Sequence, residues 1–592
     1  MESSNLLSTE SGPMSILLTD VYQITMAFAY FQQDKHTDEA VFEYFFRKPP
    51  FKGSFAVFNG VHDVLRLIQS IHFGEEELSV IQSLLDSVKA SAHFRSSGTS
   101  KSVAGFLDWL RSLDSSKISV YAFQEGSIVF GNEPLLRISG PLALVQLLES
   151  PVLNALNFAT LLTTKAFRLV RTVEPESQLL EFGLRRAQGS HAAMIATKYS
   201  FAAGFDGSSN VLGCAKYGVP SRGTHAHAFV TAFHSMDELL DTAKNDALTD
   251  TLSRKQFIQL VLSIREEFKV GQAHQGELAA FTAFAMSFPD NFVALVDTYD
   301  TLISGVPNFC VVACAMLRCG MKPKGIRLDS GNLAELSCDA RRVFHKYARI
   351  SGCHELESVH IVASNDLDEA SISDLGKFVQ NPDKCETTNG RMHSINDFGI
   401  GTKLVTCSQQ AALGGVFKLV QLNGSPCFKL SEEREKSTLP CAKQVYRVYY
   451  QGVVQADVMC REEDAVQYVN DNESAILGCS RIDFSRKYGV CVDRVRPMIE
   501  LVWRYGEAYG TMRRIQDNEK AELISELDAL HASRTHLLAQ VDSMPQYVNL
   551  NSTRNQSALS SDAVFISSKL AEITLQLIGS CTPIHFLNPI NP

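Results

Sequence analysis

Residues 222–230 read RGTHAHAFV: a Gly-Thr turn, two histidines one residue apart, His225 and His227, and then an apolar run. An imidazole can serve as acid or base, because its charge changes near neutral pH, and when neutral as a metal ligand. Side chains two apart share a face of a strand but diverge by about 200° on a helix, so the pair can act together only on extended backbone. A His-x-His pair beside an apolar run is also what a packed structural pair looks like. Further along, RLDSG (Arg327–Gly331) sets a guanidinium and a carboxylate two residues apart. The planar fork of Arg327 suits a carboxylate ligand, and Asp329 can orient it or hold a hydrated Mg²⁺, although a structural ion pair reads the same way. FGIGT (Phe398–Thr402) places glycines around an apolar residue, where bare backbone N–H groups can surround a phosphate, and Ser364-Asn365-Asp366 adds small polar donors.

The elements that must carry these residues recur. Between about 178 and 420 short apolar runs end in polar, glycine-bearing loops: LLEFGLRR, VPSRGTHAH, FVALVDTYD, KGIRLDSG, HIVASNDLDE and INDFGIGTK, most followed by helical spacing. Strand, polar loop and helix in repetition imply a parallel sheet, open or closed into a barrel, and both gather function at the carboxyl ends of the strands. That arrangement brings Arg185, Arg186, Thr224, His225, His227, Asp297, Arg327, Asp329, Ser330, Ser364, Asn365, Asp366, Gly399, Gly401 and Thr402 to one face. Two β-rich pieces flank this region, Lys117–Gly140 and Val445–Val458, the second with a Gln-Gly hairpin turn. Leu17–Tyr30 reads as an amphipathic helix, and residues 234–289 carry two amphipathic helical stretches read as an insertion. Beyond roughly 508 come a charged helix and a Ser/Asn-rich, partly mobile tail, while Asn381–Met392 reads as a loop without a place. The domains expected are 1–150, 151–430 and 431–592.

The chain has 592 residues, 45% hydrophobic and 20% charged, with 55 basic against 65 acidic side chains and a net charge of -10. This balance offers no global attraction to nucleic acid or to an anionic membrane, so any phosphate binding is local. The first residues, MESSNLLSTESGPMS, lack the basic and apolar regions of a signal peptide, and no run is read as reaching the roughly 18 apolar residues of a spanning helix. A cytosolic location is expected. The 14 cysteines begin at Cys214, with no C-x-x-C pair or zinc spacing, which points to reduced, mostly buried thiols.

In this order, TDVYQITMA, FRKPPFKGSFAVF, EFGLRRAQG, GTHAHAFV, VDTYDTL, GIRLDSG, SNDLDE and FGIGTKLVT closely resemble nicotinate phosphoribosyltransferases, densely over about Leu17 to Leu430. The resemblance implies an α/β type II fold: an irregular β/α barrel, an N-terminal α/β domain and a C-terminal β-containing and helical region, assembled as a homodimer with shared sites. It implies that nicotinate and 5-phosphoribosyl-1-pyrophosphate give nicotinate mononucleotide and pyrophosphate, with ATP as co-substrate and Mg²⁺ or Mn²⁺ as cofactor. In the family pattern Gly-Thr-x-Ala-His the last residue carries a phosphoryl group, here His227, and His225 falls at the variable position. By the same resemblance Tyr22, from the helix of a partner subunit, and Phe182 stack on the pyridine ring. Arg327, aided by Thr224, takes the carboxylate; Arg185 meets pyrophosphate; Ser364, Gly401 and Thr402 hold the 5'-phosphate. Asp329 steadies ribose or metal and Asp297 orients Arg327; no metal ligands follow from it. Ser54, Asn59 and Ser190-His191 depart from the pattern in local loop shape. VDTYDTLISG is only superficially similar to the ribose-phosphate loop of type I enzymes, since its acidic pair is split. The competing readings are a type II enzyme for nicotinamide, which is neutral and gains less from Arg327, or for quinolinate, which needs further basic groups, and an inactive homologue.

Overall fold

The structure, a computed structural model, describes residues 15–88, 102–243, 253–375, 393–431, 436–465, 475–481, 483–514, 522–544 and 564–581. Asn381–Met392 lies outside them. The chain forms two compact units, residues 1–167 with 198–204 and 409–592, and residues 168–197 with 205–408. The sequence divides into three consecutive domains on paper, but the first unit joins both ends of the chain.

The reason is a shared sheet. EAVFEYFF (Glu39–Phe46) is β-branched and aromatic and nearly all buried, so it needs neighbours on both edges. One edge takes the local strand Leu136–Pro141, and the other takes Gly415–Leu422, nearly four hundred residues away in sequence. Ser119–Ala122 and Glu500–Arg504 extend the same antiparallel sheet. Its buried Glu43 meets the equally buried Lys443 at 2.7 Å, which again ties the two ends of the chain. Lys443–Tyr450 and Val453–Arg461 form the hairpin expected from Gln-Gly, with Gln451 (φ 51°) and Gly452 (φ 78°) both left-handed, as the favoured two-residue turn requires. The tail carries more order than its composition suggests. Val564–Ile566 pairs with Val453–Arg461 and Ala475–Ser480, and helix Ser568–Cys581 follows. The charged helix is Glu526–Gln540.

The second unit holds a parallel sheet whose strands we label β1 (Leu179–Glu181), β2 (Gly207–Ser208), β3 (Val293–Leu295), β4 (Gly325–Leu328), β5 (His360–Ser364) and β6 (Asp397–Ile400). They lie in the order β2-β1-β6-β5-β4-β3, every pairing parallel. The edge strands β2 and β3 are linked by the segment around RGTHAHAFV. Ser221 bridges in parallel to Ser208, and the Leu295 amide donates to His225 Nε2 at 3.3 Å. Helices pack outside: Leu333–Ser351 starts on an Asn332 cap that accepts from the Glu335 amide and ends at Gly352 (φ 73°). Among the described residues of 234–289 there are three helices where two are expected, Met236–Thr242, Arg254–Phe268 and Gln275–Ser287. Thr301–Arg318 is, contrary to the expectation from the sequence, long and apolar enough by length and composition to cross a membrane; 72% of it is buried, as in a core helix. Most described cysteines are free thiols, as expected, but Cys338 is disulfide-bonded.

Candidate active site

Side chains two apart on a strand share a face, and this period builds the site. Leu180 from β1 with Gln178 and Phe182 on either side of that strand, Arg327 from β4, and His360 and Val362 from β5 line one cavity of about 510 Å³ together with Thr224 and Arg222. Arg222, Lys324, Arg327 and His360 face it against Asp290 and Asp397, so its lining favours an anion. Asp397 accepts from His360 at 2.7 Å and raises the pKa of that imidazole, chiefly through this hydrogen bond.

At the carboxyl end of β4, Arg327 Nη2 donates to Asp329 Oδ1 at 2.8 Å and its Nε donates to Ser364 Oγ at 2.7 Å. Ser364 Oγ also donates to Asp329. The guanidinium carbon stands 5.2 Å from the centre of the Phe182 ring. An aromatic face and an oriented guanidinium thus meet, which is the arrangement an aromatic carboxylate requires. Phe182 reaches this place through two glycines. A Cβ on Gly399 would lie 2.4 Å from the Phe182 ring, and one on Gly183 would lie 2.1 Å from Val405. The buried Glu181 holds the turn by accepting from the Gly183 amide at 2.5 Å and from Ser208 Oγ at 2.5 Å. Burial raises its pKa, and these bonds from Ser208 and Gly183 offset part of the rise.

The two histidines separate. Ala226 is extended (φ -109°, ψ 167°) and His227 opens the helix His227–Thr231, so their rings leave on different courses. His225 is 8% exposed, packs against Phe284 at 4.9 Å, and is pushed down to about 4 by burial, so it stays neutral. His227 keeps 44% of its side chain exposed and places Nε2 3.0 Å from Asp297 Oδ1. The other Asp297 oxygen accepts from Ser330 at 2.6 Å. Asp297 was expected to orient Arg327; it meets His227 and Ser330 instead, and Asp329 with Ser364 orients the arginine.

Residues 17–157 match the family model for the nicotinate phosphoribosyltransferase (NAPRTase) N-terminal domain, and residues 177–284 and 320–490 match the nicotinate phosphoribosyltransferase (NAPRTase) family. The chain is 38% identical over 553 residues to nicotinate phosphoribosyltransferase 1 of Arabidopsis thaliana, 92% of this chain and 91% of the other. It is 40% identical over 437 residues to nicotinate phosphoribosyltransferase of Homo sapiens, 73% and 76% of the two chains. The chain belongs to the nicotinate phosphoribosyltransferase family. The crystal structure of human nicotinic acid phosphoribosyltransferase superposes with a TM-score of 0.75 at 32% identity, over 94% of this chain and 99% of that one.

The remaining candidate site residues fall in three places. Gly401 and Thr402 follow β6 at the start of a four-residue helix, Thr402–Val405. Next to them Lys403 pairs with Asp366 at 3.2 Å and joins the loops after β5 and β6; this cation stands one residue beyond FGIGT and was missed. Arg185 lies exposed on the turn Leu184–Arg186 after β1. Tyr22 belongs to the first unit, on helix Val21–Gln32, and is 48% exposed. Lys324, His360 and Asp397 were also missed, because they precede or begin strands and no polar loop marks them.

Among the described residues no group of three His, Cys, Asp or Glu side chains could hold a metal. Asp329 and Asp297 are each bonded to a cation or imidazole and a hydroxyl. This donor set fits a Mg²⁺ that travels with substrate phosphates, which usually needs only one or two carboxylates, rather than a metal in a protein cage.

Proposed function

We propose that this chain joins nicotinate to 5-phosphoribosyl-1-pyrophosphate, releasing nicotinate mononucleotide and pyrophosphate, and that ATP is coupled through phosphorylation of His227. The observation that carries the substrate reading is the Phe182 ring beside the Arg327 guanidinium at 5.2 Å, in a cavity with an excess of basic groups. The pyridine ring lies against Phe182, the carboxylate takes the fork of Arg327, and Thr224 lies in the same lining. This leaves the ring nitrogen free to attack the anomeric carbon, whose bond to pyrophosphate breaks as cationic character develops. Arg185, Ser364, Gly401 and Thr402 are the proposed phosphate contacts, joined now by Lys403. Ser364 is already bonded to Arg327 and Asp329, so its part in that set requires an exchange of partners.

The His227 reading rests on Asp297. An ionised carboxylate only accepts, so Nε2 carries the proton toward Asp297 and Nδ1 keeps the lone pair. Nδ1 attacks the γ-phosphorus of ATP, ADP leaves, and water later cleaves the N–P bond. The group would carry roughly -1.5 to -2 charges if it behaves like other phosphoryl modifications, enough to bias the binding and release of pyrophosphate nearby. Mg²⁺ bound with the phosphates would neutralise charge on the leaving group, and Asp329 is its proposed protein contact. Leu18, Val21 and Tyr22, at 54%, 52% and 48% exposure, supply an apolar patch for a second copy of the chain, in keeping with a homodimer that lends Tyr22 to its partner.

The test is a coupled assay of pyrophosphate and ADP release with nicotinate, nicotinamide and quinolinate. Nicotinate turnover with an acid-labile phosphoenzyme on Nδ1, lost in His227→Ala while slow ATP-independent synthesis persists, is expected. Turnover of another pyridine in preference, or full ATP coupling in His227→Ala, overturns the respective half of the proposal.

A further inference from the structure

Glu277, in the first turn of helix Gln275–Ser287, is fully buried. Its Oε2 accepts from Ser304 Oγ at 2.5 Å and from Asn308 Nδ2 at 3.1 Å, whereas Oε1 has no partner among the described residues. Ser304 in turn accepts from the His274 amide at 2.9 Å, and Asn308 donates to the His274 carbonyl at 3.0 Å. Ser304 stands at the far end of the loop that starts at Asp297, and Asn308 stands in the helix Val306–Arg318 that follows it. The ends of that loop are sealed together, since a Cβ on Gly305 would fall 1.9 Å from the Val296 carbonyl oxygen. Within it Tyr299 stacks on His274 at 3.9 Å, and Asp300 accepts from the Leu302 and Ile303 amides. Glu277 is therefore the polar floor of a closed loop whose first residue is the carboxylate that meets His227.

We propose that Glu277 is a positioning residue that works as the neutral acid, holding the Asp297–Ser304 loop so that Asp297 keeps its hydrogen bond to His227. The proposal rests on the reading of His227 and Asp297 given above. A carboxylate at Glu277 would add a third negative charge beside Asp297 and Asp300, with one oxygen buried and unpaired, which is costly in a low dielectric. Burial raises the Glu277 pKa most, the Ser304 and Asn308 bonds lower it, and Asp297 and Asp300 raise it again, to about 7. The nearest titratable neighbour is His274, whose Nδ1 accepts from the Glu277 amide at 3.3 Å, and the other neighbouring elements bring little charge. Helix Val306–Arg318 presents Asn308, helix Met236–Thr242 brings Met236 to Thr282, and Arg265 of helix Arg254–Phe268 is bonded to the Gly271 and Ala273 carbonyls. The His227 imidazole is bonded to Asp297. A folded pKa above the unfolded one means that the stabilisation is complete below about 4.5 and is lost as pH rises through about 7.

The experiment compares the full chain with Glu277→Gln and Glu277→Ala, reading phosphoenzyme formation and the ratio of ATP-coupled to uncoupled synthesis across the range from about pH 6 to pH 9. In the parent that ratio falls roughly tenfold as pH rises through about 7, Glu277→Gln keeps it high and flat, and Glu277→Ala loses it at every pH. Thermal melts over the same range guard against a folding defect, with the parent losing stability as pH rises and Glu277→Gln losing less. A parental pH profile in Glu277→Gln overturns the proposal, as does equal loss in both variants. If instead His227→Ala retained coupling, the reading of His227 would fail and this proposal with it, and the two failures are told apart by which variant shows them.

Discussion

Asp297 and His227, 70 residues apart in the chain, meet at 3.0 Å through Oδ1 and Nε2 while Ser330 holds the other carboxylate oxygen. The pairing gives the exposed imidazole one orientation, and it ties a Val-Asp-Thr loop to the histidine proposed to carry the phosphoryl group.

Asp297→Asn keeps the size of the side chain but can present an amide N–H to His227. By analogy with a carboxylate that orients a catalytic histidine, ATP-coupled turnover is expected to fall by roughly 10²- to 10⁴-fold. Phosphoenzyme yield with labelled ATP checks this, and a normal yield would remove Asp297 from the mechanism. Uncoupled synthesis persists because the pyridine site does not use Asp297.

Gly399→Ala places a methyl 2.4 Å from Cδ2 and 2.5 Å from Cε2 of Phe182. The ring must swing away, and since an aromatic pair is worth about 0.5–1.5 kcal/mol, KM for nicotinate is expected to rise up to roughly tenfold with kcat less affected. Initial-rate kinetics decide it; an unchanged KM would show that the ring does not contact the pyridine.

His225→Ala removes both the acceptor for the Leu295 amide and the packing on Phe284, and is expected to cost about 2–4 kcal/mol in urea unfolding. The pH sign follows from the depressed pKa. Stability is present above the unfolded value of about 6.5 and is lost as pH falls toward about 4, by up to roughly 3 kcal/mol. Comparing melts near pH 7.5 and pH 5 tests this, with the variant losing less than the parent; an equal loss would assign the acid sensitivity elsewhere.

Lys198→Met strips the ammonium from two carboxylates, Asp63 at 2.7 Å and Glu526 at 2.9 Å, in the first unit. Leaving them without a partner is expected to cost about 3–5 kcal/mol. Burial alone would raise the Asp63 pKa, but the charge and hydrogen bond of Lys198 bring it down to about 2. This contribution is complete above 3.8 and disappears as pH falls through about 2, so the acid limb of unfolding should flatten in the variant. A melt within error of the parent would show that the trio contributes nothing net.

How much of this was readable in the chain depends on the range over which each signal acts. Period-two runs ending in polar glycine loops are local, so β1, β4, β5 and β6 were accessible from residues alone, as was the family, whereas the placing of Phe182 beside Arg327 followed only from the resemblance. The joining of both chain ends in one sheet was not, because Val41 pairs with Gln421 through backbone groups that every residue carries. Lys324, His360 and Asp397 escaped notice for a similar reason: a residue at the start of a strand joins a site only once parallel strands align. The sequence by itself determined which residues could bind a carboxylate or cradle a phosphate, since those capacities belong to side-chain chemistry and local backbone, while the phosphoryl role of His227 followed from the family resemblance. Only the tertiary structure decided that Asp297 meets His227 rather than Arg327, that His225 links two edge strands while His227 faces outward, and that a buried Glu277 underlies the loop that starts at Asp297. Each of these depends on distances between segments tens of residues apart, and such distances are fixed by packing and not by spacing along the chain.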